Sequence, residues 1–457
     1  MFSTKIHRRG FLAAGVSAGM GACSTLDAFS TSIAPKIRQH SPKVKSVIWL
    51  FMNGGPSSVD LFDPKPTLDK WDGKKFPGKI ETLFPHPGPI MRSPFRFKKH
   101  GESGQSVSEC FPNIAKQVDK LTFLKSCFAD SHNHTPACYM VNSGVTKAGS
   151  PCLGSWISYG LSPKGSELPG FVIMHDQKSA PEGGANLWAS AYLPGEYQGL
   201  PFRSSSQPIL YLNRSQKISR KCQAAQLKML DSLNRKHQDK FPHPEFASRQ
   251  QSFEVASNLQ ASLPQIADLG NETAETHRLY GLDQETTQPF GRQLLSARKL
   301  VENGVPMIQI YHGGWKSNWD NHSALEEQHR DLCASSDRPI AGLLTDLHRR
   351  GLLEETLVIW GGEFGRTPTS QDRNGRDHNP FGFTMWMAGG GLKKGISYGE
   401  TDDFGYHAVE NRVSIHDLHA TILHLLGLNH EELTFRYGGR EQSLVSGLGD
   451  VVTDILA

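Results

Sequence analysis

No stretch of this 457-residue chain is apolar for long enough to be a permanent membrane-spanning helix. The nearest candidate, Phe11 to Ala22, is short and rich in Gly and Ala. Charge of one sign is also scarce. Lys and Arg number 49 against 45 Asp and Glu, a formal net charge of +4, and no basic run or nucleic-acid-reading motif accompanies it. That balance gives no reason to expect a nucleic-acid partner. Seven cysteines include no CxxC pair, which argues against a structural zinc knuckle. Internal repeats and low-complexity tracts are missing as well. What remains, 37% hydrophobic and 21% charged residues, describes an ordinary globular chain, long enough for one large core or two moderate ones. Histidine, by contrast, is plentiful at 20, and several lie beside Asp, Asn or Gly in turn-like segments.

The first residues read as an address. Arg8-Arg9-Gly10-Phe11-Leu12, with Lys5 before it and the mild apolar run after it, predicts a twin-arginine signal over residues 1–34, cleaved near Ala28 to Ala34. The bland alternative is an accidental Arg pair on a frayed terminus. The signal implies the twin-arginine export machinery as a partner and a periplasmic or secreted destination, by a route that carries folded, often cofactor-loaded proteins. Cys23 follows Met20-Gly21-Ala22, a loose lipoprotein box with a poor first position, so lipid anchoring through Cys23 is the lesser option. Six cysteines remain beyond the signal; an oxidising compartment permits disulfides, and spacing alone does not choose their pairing.

Continuous apolar runs bounded by turn residues predict strands at 46–52, 121–124, 171–174, 305–311, 356–360 and 383–388. Helices are expected at 135–142, 323–350 and 413–426, and residues 60–110 and 181–210 read as long surface excursions. Residues 219–303 are polar, helix-prone and broken by Pro242, Pro244, Pro264 and Gly281, which suggests a helical insertion in a domain spanning 42–447. Strands alternating with helices predict an α/β fold, a doubly wound, mostly parallel sheet with helices on both faces. In such sheets ligands sit beyond the carboxyl ends of the strands. Asn53, Asp320, His322, Glu363 and His378 all lie just after predicted strands or in the loops that follow.

Each of these residues has a bland reading beside its chemical one. Trp319-Asp320-Asn321-His322 places a carboxylate and an imidazole two residues apart, a donor set that suits zinc, manganese or iron better than calcium; it also fits a helix cap beside a solvated histidine. In Gly361-Gly362-Glu363-Phe364-Gly365-Arg366-Thr367-Pro368 a buried strand delivers a carboxylate into a loop where Arg366 could clamp an oxyanion, unless Glu363 and Arg366 form a surface ion pair. Arg376-Asp377-His378-Asn379-Pro380 offers a ligand histidine with Asp377 behind it, or a plain turn histidine. Ser131-His132-Asn133-His134-Thr135-Pro136-Ala137 enters a helix whose N-terminus favours negative charge; two solvated histidines on a capped helix is the alternative.

In this order the segments 47–66 (VIWLFMNGGPSSVDLFDPKP), 131–144 (SHNHTPACYMVNSG), 312–322, 360–368 (WGGEFGRTP), 376–391 (RDHNPFGFTMWMAGGG) and 413–428 (VSIHDLHATILHLLGL) resemble the DUF1501 family of the alkaline phosphatase and sulfatase superfamily. The resemblance covers nearly all of the chain beyond the leader. It implies one or two divalent metals and a nucleophile at a helix N-terminus acting on phosphate or sulfate esters. By position it implies metal ligation by Asn53, Asp320, His322, Glu363 and His378. His134 falls where the modified cysteine of sulfatases stands, with Thr135 adjacent and Arg366 near the oxyanion. Two departures weaken a paired-metal site: Asn53 replaces a carboxylate, and Phe364 stands where a second-metal histidine would follow. One firmly bound metal, or an altered pair, is the expectation. His134 itself suits a nucleophile, a ligand or a general acid/base.

Three functions follow. The first is an exported metal-dependent hydrolase of phosphate or sulfate esters, on small molecules or polysaccharides, with Arg366 and the helix start at His134 holding the non-bridging oxygens. The second is a non-catalytic metal-binding envelope protein on the same fold, favoured by Phe364 and the missing conventional nucleophile. The third is acid/base chemistry on carbohydrate by carboxylates such as Glu363 and Asp377, which requires a defined separation that no sequence spacing sets.

Overall fold

The computed structural model describes residues 39–457 apart from 85–86, 163–167, 176–179, 204–208, 210–217, 242–245, 247–249, 251–252, 255, 261–265, 267 and 314–317. The expected leader and Cys23 lie outside the described residues. No helix among the described residues is long and apolar enough to cross a membrane.

Strand β1 (Ser46–Met52) is buried along its whole length and sits in the middle of a 9-stranded sheet. Its neighbours are β5 (Met307–His312) and β6 (Thr356–Gly361), both parallel to it, in the register Val47↔Met307 and Ser46↔Thr356. Beyond β5 come β3 (Phe171–Met174) and β4 (Leu200–Phe202), also parallel. On the other side β9 (Phe383–Ala388) runs antiparallel to both β6 and β2 (Leu121–Phe128), and β10 (Ile396–Tyr398) and the short β11 (Val413–Ser414) add parallel to β2. The sheet is mixed and mostly parallel.

Alternate side chains of the central strands enter two separate cores, as the two-residue period of a strand requires. Ile48, Leu50, Ile308, Ile310, Val358 and Trp360 pack on one face with helices α4 (Gln288–Glu302) and α5 (Leu325–Arg349). Val47, Trp49, Phe51, Tyr311, Leu357 and Ile359 pack on the other with α1 (His134–Ser143), α2 (Leu153–Leu161) and α6 (Ile415–Leu425). Both faces are covered by helices, which is why the strands read as unbroken apolar runs. Helix α5 carries Glu326 and Glu327 in its first turn and His348 and Arg349 in its last, matching the helix dipole at each end. Helix α6 opens with a reciprocal capping box between Ser414 and Asp417.

The stretch 219–303 divides. Between them, Arg220–Lys240, a helix with no buried side chain, and α4 bracket this stretch; α4 buries Phe290, Leu294, Leu295 and Leu300 in the core. At the other end Ile455 is buried and Leu456 bridges Leu392, so packing continues past residue 447.

The loop expected around His378 is instead a strand. Residues β7 (Gly365–Gln371) and β8 (Gly375–Asn379) form an antiparallel hairpin, turning at Asp372 and Arg373, both with positive φ. Its strands, GRTPTSQ and GRDHN, are nearly all buried yet almost wholly polar, so no apolar alternation announces them. Their burial is made possible by pairing. Arg376 bonds Asp60 through Nε at 2.7 Å and Nη2 at 3.2 Å, and donates to the carbonyl oxygens of Thr367 and Met91; both charged side chains are fully buried. Arg376 holds the Asp60 carboxyl below its ordinary range, although burial alone would raise it.

Removing one partner of such a pair strands the other charge. Arg376→Met should lower the unfolding free energy by about 3–5 kcal/mol in urea titrations, and adding Asp60→Leu should recover most of that loss. A second prediction concerns His419 on α6, which is fully buried with Nε2 2.8 Å from the Val141 carbonyl oxygen. Burial lowers its pKa to about 4, below the 6.5 of an exposed histidine. The unfolded chain therefore binds the extra proton first. The stability that His419 contributes is fully present above about pH 6.5 and lost as the pH falls toward about 4. His419→Leu should flatten the fall in urea midpoint across that window relative to wild type.

Candidate metal centre

The parallel strands deliver their following loops to one end of the sheet, and the polar residues meet there. After β1 the chain turns at Asn53-Gly54-Gly55. Asn53 is nearly buried and pinned through its backbone: its N–H donates to the His312 carbonyl oxygen at 3.0 Å, and its carbonyl oxygen accepts from Trp319 N–H at 2.9 Å. Gly54, at φ 109°, has no room for a Cβ, which would lie 2.5 Å from the Asp320 nitrogen. The close approach brings the loop after β5, which carries Asp320 and His322, against the end of β1.

Four side chains then face one another: His134, Asp320, His322 and His378 present ligand atoms all within 4.8 Å of each other. His134 is the first residue of α1, and His378 lies on β8. The hairpin fixes His322 from behind, since a Cβ on Gly375 would fall 1.8 Å from the His322 carbonyl oxygen. Nε2 of His322 lies 2.8 Å from Asp320 Oδ1, and Nε2 of His378 lies 2.9 Å from the same oxygen. Nε2 of His134 lies 3.1 Å from Asp320 Oδ2.

The opposite ring nitrogens define the tautomers. His134 Nδ1 is 2.7 Å from Glu363 Oε1, His378 Nδ1 is 2.6 Å from the His132 carbonyl oxygen, and His322 Nδ1 bonds Gln371 Oε1. Those three partners can only accept, so each Nδ1 carries the proton. In the neutral rings every Nε2 then turns a lone pair toward the Asp320 carboxylate. Lone pairs facing an anion repel unless a cation lies among them, and outward Nδ1–H bonds of this kind are what metal-ligating histidines make. His134 Nε2, although buried and close to Asp320, has no aligned hydrogen-bond partner. The residues therefore fit a metal.

Charge points the same way. Glu363 is wholly buried, accepting from Gly54 N–H at 2.9 and 3.1 Å as well as from His134. Among the described residues, Arg366 is the guanidinium paired with Asp320, 2.7 Å from Oδ1. Without a metal the site takes up a proton. Burial disfavours charge on His134, yet the neighbouring Asp320 and Glu363 carboxylates outweigh it and lift its pKa to about 9. His378 moves the other way, to about 3, because burial and the charges of Arg366 and His134 outweigh the neighbouring Asp320 carboxylate. Asp320 is held far below the carboxylate range by three imidazoles and Arg366, against the opposing effect of burial.

The candidate residues thus fall into distinct places. Asp320, His322 and His378 come together, and His134 joins them at ligand distance. Glu363 stands one bond outward, behind His134. Asn53 enters by its backbone bonds to His312 and Trp319. Arg366 is not an open oxyanion clamp: its side chain is fully buried, and it donates to the Gly54, Gly55 and Arg376 carbonyl oxygens as well as to Asp320. Thr135, next to His134, donates from Oγ1 to Glu182 Oε2 at 3.4 Å. Asp377 is buried and accepts from the Phe84 and His378 backbone N–H groups, which shapes the loop rather than pairing it with Glu363. Phe364 stacks on His378 with ring centroids 4.4 Å apart and lies 5.0 Å from the His134 ring. Gln371 and the His132 carbonyl oxygen carry no sequence signal, since each acts on a ring 49 or 246 residues away that the fold brings to it.

No curated protein matches the chain. Among solved structures it is remotely similar to the alkaline phosphatase of the Antarctic bacterium TAB5, with 12% identity, 85% of this chain and 99% of that one covered, and a TM-score of 0.39. A sulfatase from Pseudoalteromonas sp. matches at 12% identity over 85% of this chain and 68% of that one, TM-score 0.35. A phosphonate monoester hydrolase from Silicibacter pomeroyi matches at 11% identity over 69% and 68%, TM-score 0.34. The family model of DUF1501, a protein of unknown function, matches residues 44–456, and the chain belongs to that family.

Proposed function

We propose that the chain is an exported, metal-dependent hydrolase of phosphate or sulfate esters, acting in the periplasm or outside the cell on small-molecule or polysaccharide substrates. The observation that supports this most is the convergence of three imidazole Nε2 atoms on Asp320, with His134 Nε2 left without an aligned hydrogen bond. His134, Asp320, His322 and His378 would hold one divalent ion, and their nitrogen and oxygen donors suit zinc, manganese or iron. Such an ion, when bound, supplies Lewis-acid stabilisation of the charge that develops on ester oxygens. Phe364 fills the space against His134 and His378, which favours one ion over a pair.

The chain's own groups divide the remaining work. Glu363, Gln371 and the His132 carbonyl oxygen keep the Nδ1 protons in place and so aim each Nε2 inward. Arg366 fixes the Asp320 carboxylate from its buried side. Asp320 and His322, with 23% and 22% of their side chains exposed, form the accessible edge by which an ester would enter. Thr135 supplies a hydroxyl at the start of α1, and Glu182 lies beside it to accept its proton. The twin-arginine leader is the basis for the export assignment.

One observation favours the second reading, a non-catalytic metal-binding envelope protein. His134, Asp320, His322 and His378 together already make a complete four-donor set, as structural sites do. Turnover separates the two readings, because metal-dependent stability is common to both.

Elemental analysis of the purified mature protein should find about one zinc, manganese or iron per chain, lost in Asp320→Ala and His322→Ala. Glu363→Gln and Gln371→Ala should keep the site but weaken metal affinity by roughly 10- to 100-fold, read by chelator competition. In turnover assays the metal-loaded protein should hydrolyse 4-nitrophenyl phosphate or sulfate. Thr135→Ala should lower kcat by roughly a thousandfold or more if its hydroxyl is the nucleophile. Bound metal that stabilises the fold with no ester turnover at all would transfer the assignment to the binding protein.

A further inference from the structure

Away from the metal centre, two cysteines distant in sequence meet where the segment Glu109–Ile114 runs along helix α5. Cys333 is fully buried on that helix, and half-buried Cys110 packs against the same core cluster. The two thiols are close enough to influence each other's ionisation. The contact is bracketed on both sides. One turn earlier on α5, Arg330 Nη2 pairs with Glu109 Oε1 at 3.1 Å. One turn later, the Asp337 carboxylate accepts from the backbone N–H groups of Asn113 at 2.9 Å and Ile114 at 2.8 Å. Residues 330, 333 and 337 share one face of the helix, so the ion pair, the thiols and the carboxylate clamp form a single seam. The seam holds both backbones on either side of the sulfurs.

We propose that Cys110 and Cys333 form a disulfide once the folded chain reaches an oxidising compartment. Cys110 is the attacking group: it is the more exposed, and the Cys333 thiol and Arg330 favour its thiolate against the cost of burial. Its thiolate attacks one sulfur of a small disulfide oxidant, such as glutathione disulfide, and expels a thiolate. Cys333 then loses its proton and attacks the Cys110 sulfur of that mixed disulfide, expelling the second thiolate. The protein gives up two electrons and two protons, and the oxidant becomes two thiols. The remaining described cysteines are not part of the seam: Cys127, Cys138 and Cys152 are buried elsewhere, and Cys222 is exposed on Arg220–Lys240.

The test uses the full mature protein, folded and equilibrated in buffers of reduced and oxidised glutathione, then denatured and alkylated. Peptide mapping without reduction should recover one cross-linked pair, Cys110 with Cys333, lighter by two hydrogen atoms than the separate peptides. The urea midpoint should fall on adding reductant for wild type and stay fixed for Cys110→Ser and Cys333→Ser. Recovery of both residues alkylated from the most oxidising buffer would overturn the proposal, as would a glutathione adduct on Cys110 that never resolves. A cross-link between any other pair would do the same. If one serine variant fails to fold, the peptide map of wild type decides alone.

Discussion

The Asp320 carboxylate faces His134, His322, His378 and Arg366, and the geometry at this end of the sheet depends on that meeting. Isolated, a carboxylate so placed would be expensive to keep ionised away from water. Here its own partners are costly too, because imidazoles that are protonated on Nδ1 present lone pairs rather than donors. The arrangement is stable with a positive charge at its centre. A proton on His134 meets that need in part, and a divalent cation meets it with all the rings neutral.

Holding the rings requires rigidity at several removes. Arg366 ties Asp320 to the backbone of the turn after β1, and Glu363 ties the same turn to His134. Behind them a second network runs through buried polar groups. His329 receives the Ser57 N–H on Nε2 and bonds the Asn321 side chain through Nδ1, while Ser57 and Arg376 both bond Asp60. Asn321 stands between Asp320 and His322, so this network reaches the His–Asp cluster through the chain itself. His329 is kept neutral, its pKa lowered to about 3 by burial, as its acceptor role toward Ser57 demands.

Much of this was legible in the sequence for a simple reason. Strands buried on both faces must be largely apolar, and β1, β5, β6 and β9 are, with Gln309 and Thr384 as interior exceptions, so the sheet and its carboxyl edge could be located from the sequence. The addresses of Asp320, His322 and Glu363 followed from that edge. The hairpin bearing Arg366 and His378 did not, because a strand that buries Arg, Asp, His and Thr leaves no hydrophobic period. Its burial rests on pairings such as Arg376 with Asp60, which join residues 316 positions apart. The same limit applies to Arg366, which looks like an anion clamp in a Gly-rich loop. Only the fold reveals that the Gly54, Gly55 and Arg376 carbonyl oxygens take up its donors. His134 was open among three roles in the sequence; its distance to Asp320 places it with the ligand-type groups.

The buried polar hairpin also explains how a site of this charge density coexists with two apolar cores. The charged groups of the site are gathered where the strands end and bonded to backbone or to one another. Beneath them, Trp360 stacks on Trp386 at 6.1 Å between β6 and β9, closing the sheet against water below the polar layer. Low-dielectric packing on that side strengthens each electrostatic contact above it, so the same burial that penalises an unpaired charge rewards a complete set. A cation at the centre would complete that set.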